Sequence, residues 1–141
     1  MPFVKILIHA VWATKDRKNL LSIDNKNKLC EHIKENAQKK DIHLININGH
    51  QNHLHCFISM SSVQSIATIM SLIKGESSYW ANKNLSLMEK FEWQDEYYAV
   101  SVGQSQFNIV NDYINNQEEH HRKKSFQGEC DEFFRDYNFD E

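Results

Sequence analysis

Residues 41–60 read DIHLININGHQNHLHCFISM, two runs rich in β-branched and apolar residues around a polar centre. DIHLININ and HLHCFISM each read as a strand. Asn48-Gly49 is a turn signal, and His50 to Asn52 make the connection longer than the tightest hairpin. The two strands are therefore expected to pair antiparallel. Alternate side chains of a strand share a face. His53 and His55 then project together, while Leu54 and Cys56 point the other way, toward whatever helices cover the sheet.

Outward from this hairpin, VKILIHAVWAT near the N-terminus is another β-rich run. Ser22 or Asp24 is placed to cap a helix reaching about Lys40, with Leu29, Ile33 and Ala37 as its apolar stripe. Ser62 is placed to cap a second helix, whose buried face would be Val63, Ile66, Met70 and Ile73. Lys74-Gly75 is expected to interrupt it, and SSYWANK to continue it. Residues 84–96 are less regular, with Phe91 and Trp93 pinning them to the core. YYAVSVG reads as a short fourth strand. Ser105 would cap a third helix, with Phe107, Val110 and Ile114 inside. The order β-α-β-β-α-β-α describes an α+β fold: a ferredoxin-like or RRM-like antiparallel sheet with helices on one face, plus a C-terminal helix. No repeat, low-complexity segment or linker divides the chain, so residues 1–128 are read as one domain and 129–141 as an acidic tail.

Composition narrows the classes. The 141 residues suffice for one sizeable core. The apolar runs are too short to span a bilayer, and the first residues lack the pattern of a signal peptide. Cys30, Cys56 and Cys130 form no CxxC pair, and their odd number argues against a disulfide framework, which makes a reducing cytoplasm the simplest setting. The net charge of -3 hides an asymmetry: residues 1–90 carry 12 Lys/Arg and 7 Asp/Glu, whereas residues 91–141 carry 4 and 12. Phosphate binding depends on local clusters, and TKDRK and HHRKK are two such clusters, though each also reads as solvated surface charge.

Alone, two strand histidines are weak evidence of chemistry. A structural zinc site would need His50 or Cys56, and Cys56 points away. A histidine-triad nucleotide hydrolase would need a third alternating histidine where Phe57 stands. A divalent-cation site of two histidines and an oxygen ligand needs a partner from elsewhere. NDYINNQEEHHRKK supplies candidates: Tyr113 and Gln117 are four residues apart and so one helical turn apart on one face. Equally, Tyr113 could flank the core and Gln117 face water.

Together these stretches resemble the single-tyrosine HUH transposases of bacterial insertion sequences, the insertion-sequence-200-like group, and their domesticated relatives. The resemblance spans HAVWATKDRK, NGHQNHLHCFISM, LIKGESS, FEWQDEYYAVSVGQSQ and YINNQEEHHRKKSF. HLH matches the HUH motif, and Tyr-x-x-x-Gln-x-x-His-His matches the tyrosine-helix signature. The resemblance implies that His53, His55 and Gln117 ligate Mg2+ or Mn2+. It implies that Tyr113 attacks single-stranded DNA, leaving a 5′-phosphotyrosine link and a free 3′-hydroxyl that later rejoins strands. It also implies recognition of hairpins at element ends and a homodimer in which the tyrosine helix of one subunit often completes the site of the other. Lys15, Arg17, Lys18, Lys74, Arg122 and Lys123 are the expected DNA contacts, and His120 and His121, with Lys123, the expected helpers of tyrosine deprotonation. Asn52 departs from the pattern, since the family often has an acidic residue there. The alternative reading is a domesticated or inactive relative that binds DNA hairpins without cutting. A small metal-binding or nucleotide-handling protein with no DNA role is a third.

Overall fold

The computed structural model describes residues 2–117 together with Glu119 and Gly128. His120, His121, Arg122, Lys123 and the tail lie outside the described residues. The elements are β1 (Ile6–Ala13), α1 (Ile23–Lys39), β2 (His43–His50), β3 (His53–Met60), α2 (Ile66–Asn84), β4 (Tyr98–Val102) and α3 (Phe107–Asn115), with single 3-10 turns at Lys15–Arg17 and Gln104–Gln106. The four strands form one sheet in the order β2-β3-β1-β4, every neighbouring pair antiparallel. Among the described residues no helix is long and apolar enough to cross a membrane.

Strand alternation divides the interior in two. Ala10, Trp12, Leu54, Cys56 and Ile58 join Leu29, Ile33, Ile69, Met70 and Ile73 in the main core, so α1 and α2 cover one sheet face. Leu7 and Phe57 pack with Ile114 on the other face, where Phe107, Val110 and Tyr113 of α3 lie over them. The third helix therefore sits opposite the first two, and β3 is buried on both sides from His53 to Ile58. Phe91 and Trp93 anchor the irregular segment as expected; Trp93 Nε1–H donates to Ser77 Oγ at 2.9 Å.

Several local expectations are corrected. The hairpin turn is Gln51–Asn52, not Asn48-Gly49, which continues β2 to His50. Gly49 faces Leu54 across the ladder, and a Cβ there would collide with the His53 carbonyl oxygen and the Leu54 side chain. Its glycine signal came from close packing rather than from a turn. Ser22 caps α1, its Oγ accepting from Asn25 N–H. The second helix is capped by Ser65, whose Oγ accepts from Thr68 N–H, rather than by Ser62. Val63 therefore precedes the helix and is 91% exposed. The helix also runs through Lys74-Gly75 without a break, because α2 buries Ile69, Met70, Ile73, Ser77 and Ala81 along one continuous stripe. Ser105 lies within the 3-10 turn, and α3 starts without a side-chain cap.

The two glycines make a paired test. Gly49→Ala should destabilise the fold by about 1–3 kcal/mol, because backbone and a core leucine block the methyl. Gly75→Ala meets nothing within 4 Å inside a helix and should stabilise it by about 0.4–1 kcal/mol. Denaturant melts of both variants check the signs.

Candidate active site

Register places the histidines on the α3 face, at the start of β3. His55 lies opposite Val11 of β1 and Asn48 of β2; His53 lies opposite Ala13 and His50. His9, two residues before Val11 on the same face of β1, reaches diagonally to His55, with Nε2 2.9 Å from His55 Nδ1. His53 and His55 are wholly buried, and their ring centroids are 5.2 Å apart.

The helix α3 reaches this face through asparagines on β2. Asn46 Nδ2–H donates to Asn111 Oδ1 at 2.8 Å and Asn115 Oδ1 at 2.9 Å. Asn48 Nδ2–H donates to the carbonyls of Ile114 at 2.9 Å and Asn115 at 3.2 Å, satisfying acceptors at the helix C-terminus. Lys26 of α1, itself buried, donates to Asn48 Oδ1 at 2.8 Å and holds that amide in place. Its positive charge also suits the negative end of α3. The tyrosine helix is thus clasped onto its own sheet, within one chain.

That clasp brings both expected helix residues to the histidines. The ring of Tyr113, half-buried, meets His55 edge-on at 5.5 Å between centroids and His9 at 6.0 Å. Gln117 is fully buried, with Oε1 3.3 Å from His53 Nε2. Two amides fix the chemistry of this contact. Gln117 Nε2–H donates to the Tyr113 carbonyl at 3.3 Å, which aims Oε1 at the histidine. Asn52 Nδ2–H donates to the Arg17 carbonyl at 3.2 Å, which leaves Oδ1 to accept from His53 Nδ1–H at 2.8 Å. In the neutral form of His53 with its proton on Nδ1, the Nε2 lone pair faces the amide oxygen. Two acceptors converging at this distance suit a shared cation, since neighbouring ligands about 2.1 Å from an octahedral ion stand about 3 Å apart. The donor set is two imidazoles and one amide; among the described residues no group of three or more His, Cys, Asp or Glu is arranged to hold a metal. Two imidazole nitrogens and one amide oxygen fit a divalent ion that keeps other positions open.

Cys56 takes no part. It faces the helices, fully buried, and desolvation pushes its thiol well above the usual range; Cys30 behind it is pushed up to about 12 by the same cause. A zinc site built on Cys56 is thereby closed off. His9 was missed by sequence reasoning. Its parity with Leu7 and Val11 was readable, but only the β1–β3 pairing sets it beside His55. Asn46, Asn48 and Asn52 carried no sequence signal for their roles as clasp and orienter.

The basic residues are dispersed. Lys15 pairs with Glu92 at 3.3 Å and Lys18 with Glu89 at 2.7 Å, both on the surface after β1. Lys74 is used differently from the phosphate contact expected of it. Its ammonium donates to the carbonyls of Gln94 at 2.6 Å, Asp95 at 2.8 Å and Glu96 at 3.4 Å. Burial lowers its pKa, against the pull of Asp95 and Glu96.

The antiparallel sheet with its docked helices is a fold shared with solved transposases. One is the REP-associated tyrosine transposase bound to a REP hairpin (TM-score 0.64, 13% identity, 86% of this chain and 72% of that one). Another is a candidate transposase from Deinococcus radiodurans R1 (TM-score 0.62, 18% identity, 82% and 93%). The family itself is set by sequence: residues 3–117 match the model of the IS200-like transposases, and the chain belongs to that family. No functionally curated protein matches it.

The clasp can be tested directly. Asn48→Ala should raise amide hydrogen exchange across residues 107–115 by about tenfold or more, while β1 and β3 keep their protection. Equal loss of protection in all three would mean that Asn48 supports the whole sheet instead.

Proposed function

We propose that this transposase cleaves and rejoins single-stranded DNA through a 5′-phosphotyrosine formed on Tyr113. The observation that carries the reading is the convergence of His53 Nε2 and Gln117 Oε1 at 3.3 Å, with the Tyr113 ring packed on His55. A divalent cation, Mg2+ or Mn2+, held by His53, His55 and Gln117 would polarise a non-bridging oxygen of the scissile phosphate. The tyrosine oxygen bonds to phosphorus and the 3′-oxygen leaves as a hydroxyl, so the backbone bond is exchanged rather than lost. A later 3′-hydroxyl reverses the exchange, and one difficult step becomes two. The phenol, with an unperturbed pKa of about 10, must give up its proton for this attack. His120, His121 and Lys123 are the proposed helpers.

Asn52 and His9 orient the ligands. Asn52 Oδ1 accepts a hydrogen bond from His53 Nδ1–H, and His9 meets Nδ1 of His55, which leaves Nε2 of each ring for the site. An amide thus serves where the family often has an acidic residue. Lys15 and Lys18 follow β1 closely, and their exposed ion pairs are weak enough to be exchanged for phosphates. Arg122 and Lys123 extend the same proposal past α3. The clasp of α3 on its own sheet supports a reading in which Tyr113 acts in cis and a homodimer joins two complete sites, rather than one in which the helices are exchanged between subunits. The hairpin in the structure of the REP-associated transposase supports a hairpin-bearing DNA as substrate.

The test uses hairpin oligonucleotides with randomised single-stranded flanks, incubated with Mg2+ or Mn2+. A covalent protein–DNA adduct that survives denaturation should form, and Tyr113→Phe should abolish it. Hairpin binding without an adduct under either cation would refute the enzyme and leave a binding module.

The orienting residues make a separate prediction. Asn52→Ala and His9→Ala should each weaken Mn2+ affinity, measured by calorimetry, about 10–100-fold, with adduct formation recovering at high Mn2+. Asn52→Asp should retain wild-type affinity or better. Unchanged affinity in both alanine variants would sink the proposed ligand set.

A further inference from the structure

A cavity lies beside the candidate active site. Between the Val11–Tyr98 pair and the Thr14–Trp93 bridge, β1 spans three residue steps while the opposite segment spans five. The two extra residues loop outward at the sheet edge, and Lys74 holds that loop by its carbonyls. The opening behind it is a cavity of about 270 Å³, lined by Trp12 and Ala13 of β1, Tyr98, Glu96, Asp16 and Arg17.

Three observations mark it as built for a ligand. Trp12 is 1% exposed, and its Nε1–H is a buried donor with no acceptor among the described residues. Asp16 and Arg17 are consecutive non-glycine residues with φ of 58° and 52°, a left-handed backbone that side chains disfavour and that clusters at ligand clamps. The turn is held in this form by Gln94 Oε1, which accepts from Asp16 N–H at 3.2 Å. The cavity also abuts the histidines. Ala13 in its wall pairs with His53 across the ladder, and Asn52 bonds the His53 ring and the Arg17 carbonyl at once.

The size and chemistry of the walls select the ligand. The volume lies just under the roughly 300–1,000 Å³ of drug-sized sites and well above the ~30 Å³ of a water, which suits one planar ring system. The aromatic ring of Tyr98 suits stacking, while Trp12, almost wholly buried, brings only its indole N–H. The carboxylates of Asp16 and Glu96 repel a phosphate but accept from ring N–H groups, while the Arg17 guanidinium and the Trp12 indole donate. Guanine is the base that offers N–H donors beside the O6 and N7 acceptors that arginine reads.

We propose that this cavity holds one unstacked guanine of the single strand, next to the phosphate that Tyr113 attacks. The inference rests on the proposed reading of the site as one that cuts single-stranded DNA. It makes the pocket a determinant of where the strand is cut, through a base read directly by the protein.

Two measurements separate this idea from the cleavage chemistry. Sequencing the adducts from the randomised-flank oligonucleotides should show guanine enriched at least tenfold at one position within two nucleotides of the linkage. Glu96→Gln and Arg17→Asn, the latter tolerant of the left-handed backbone, should each flatten that enrichment at least threefold while adducts still form. Independently, Tyr113→Phe protein without metal is titrated with the trinucleotides TGT, TAT, TCT and TTT. The Trp12 indole N–H resonance, assigned by through-space transfer, should shift with TGT at least fivefold more than with the others. Adducts with no base preference, or a preference untouched by both substitutions, overturn the pocket and leave the cleavage reading standing. An indole shift equal for all four trinucleotides, or absent, overturns it as well. A guanine-selective shift without any adduct supports the pocket and counts against cleavage.

Discussion

Everything in this molecule turns on one strand buried on both faces. Leu54, Cys56 and Ile58 of β3 enter the core beneath α1 and α2, which requires His53, His55 and Phe57 to point the opposite way. Left open, that second face would be half apolar and half imidazole. α3 closes it, placing Phe107, Val110 and Ile114 over Leu7 and Phe57 and leaving the polar end to the histidines. The apolar half of the contact supplies the driving force, and the histidine half becomes a buried polar site with fixed neighbours.

Burial makes that polar site demanding. Each amide around it makes two interactions that set its orientation: Asn52 between Arg17 and His53, Gln117 between Tyr113 and His53, and Asn48 between Lys26 and the end of α3. Networks of this kind hold side chains to one geometry, which is what ligand atoms need. Lysines are divided by the same logic. Lys26 and Lys74 serve as internal donors to amide and backbone oxygens, whereas Lys15 and Lys18 stay at the surface in weak pairs. A tally of positive charge therefore describes this surface poorly.

Glycine and serine show where local signals mislead. Asn48-Gly49 carries the signature of a turn, yet Gly49 lies in a strand because Leu54 and the His53 carbonyl approach it too closely for a Cβ. Gly75 looks like a helix stop, yet the stripe from Ile69 to Ala81 outweighs the modest cost of one glycine. Ser62 reads as the cap of α2, yet Ser65 takes that place, its Oγ accepting from Thr68 N–H.

The sequence by itself determined the element order, the two faces of β3 and the pairing of His53 with His55, because strand and helix periods act over a few residues. The spacing of Tyr113 and Gln117 on one helical face was readable for the same reason, and the motif pair was enough to point to the family. Whether that face met the histidines was not readable. That depended on the side of the sheet where α3 docks, which Asn46 and Asn48 settle from β2, more than sixty positions away in sequence. His9 joined His55, and the cavity opened beside Trp12, only once β1 paired with β3 and β4 in one register. Periodicity is local and leaves its mark in sequence; register and docking are sums over distant contacts, and only the folded chain expresses them.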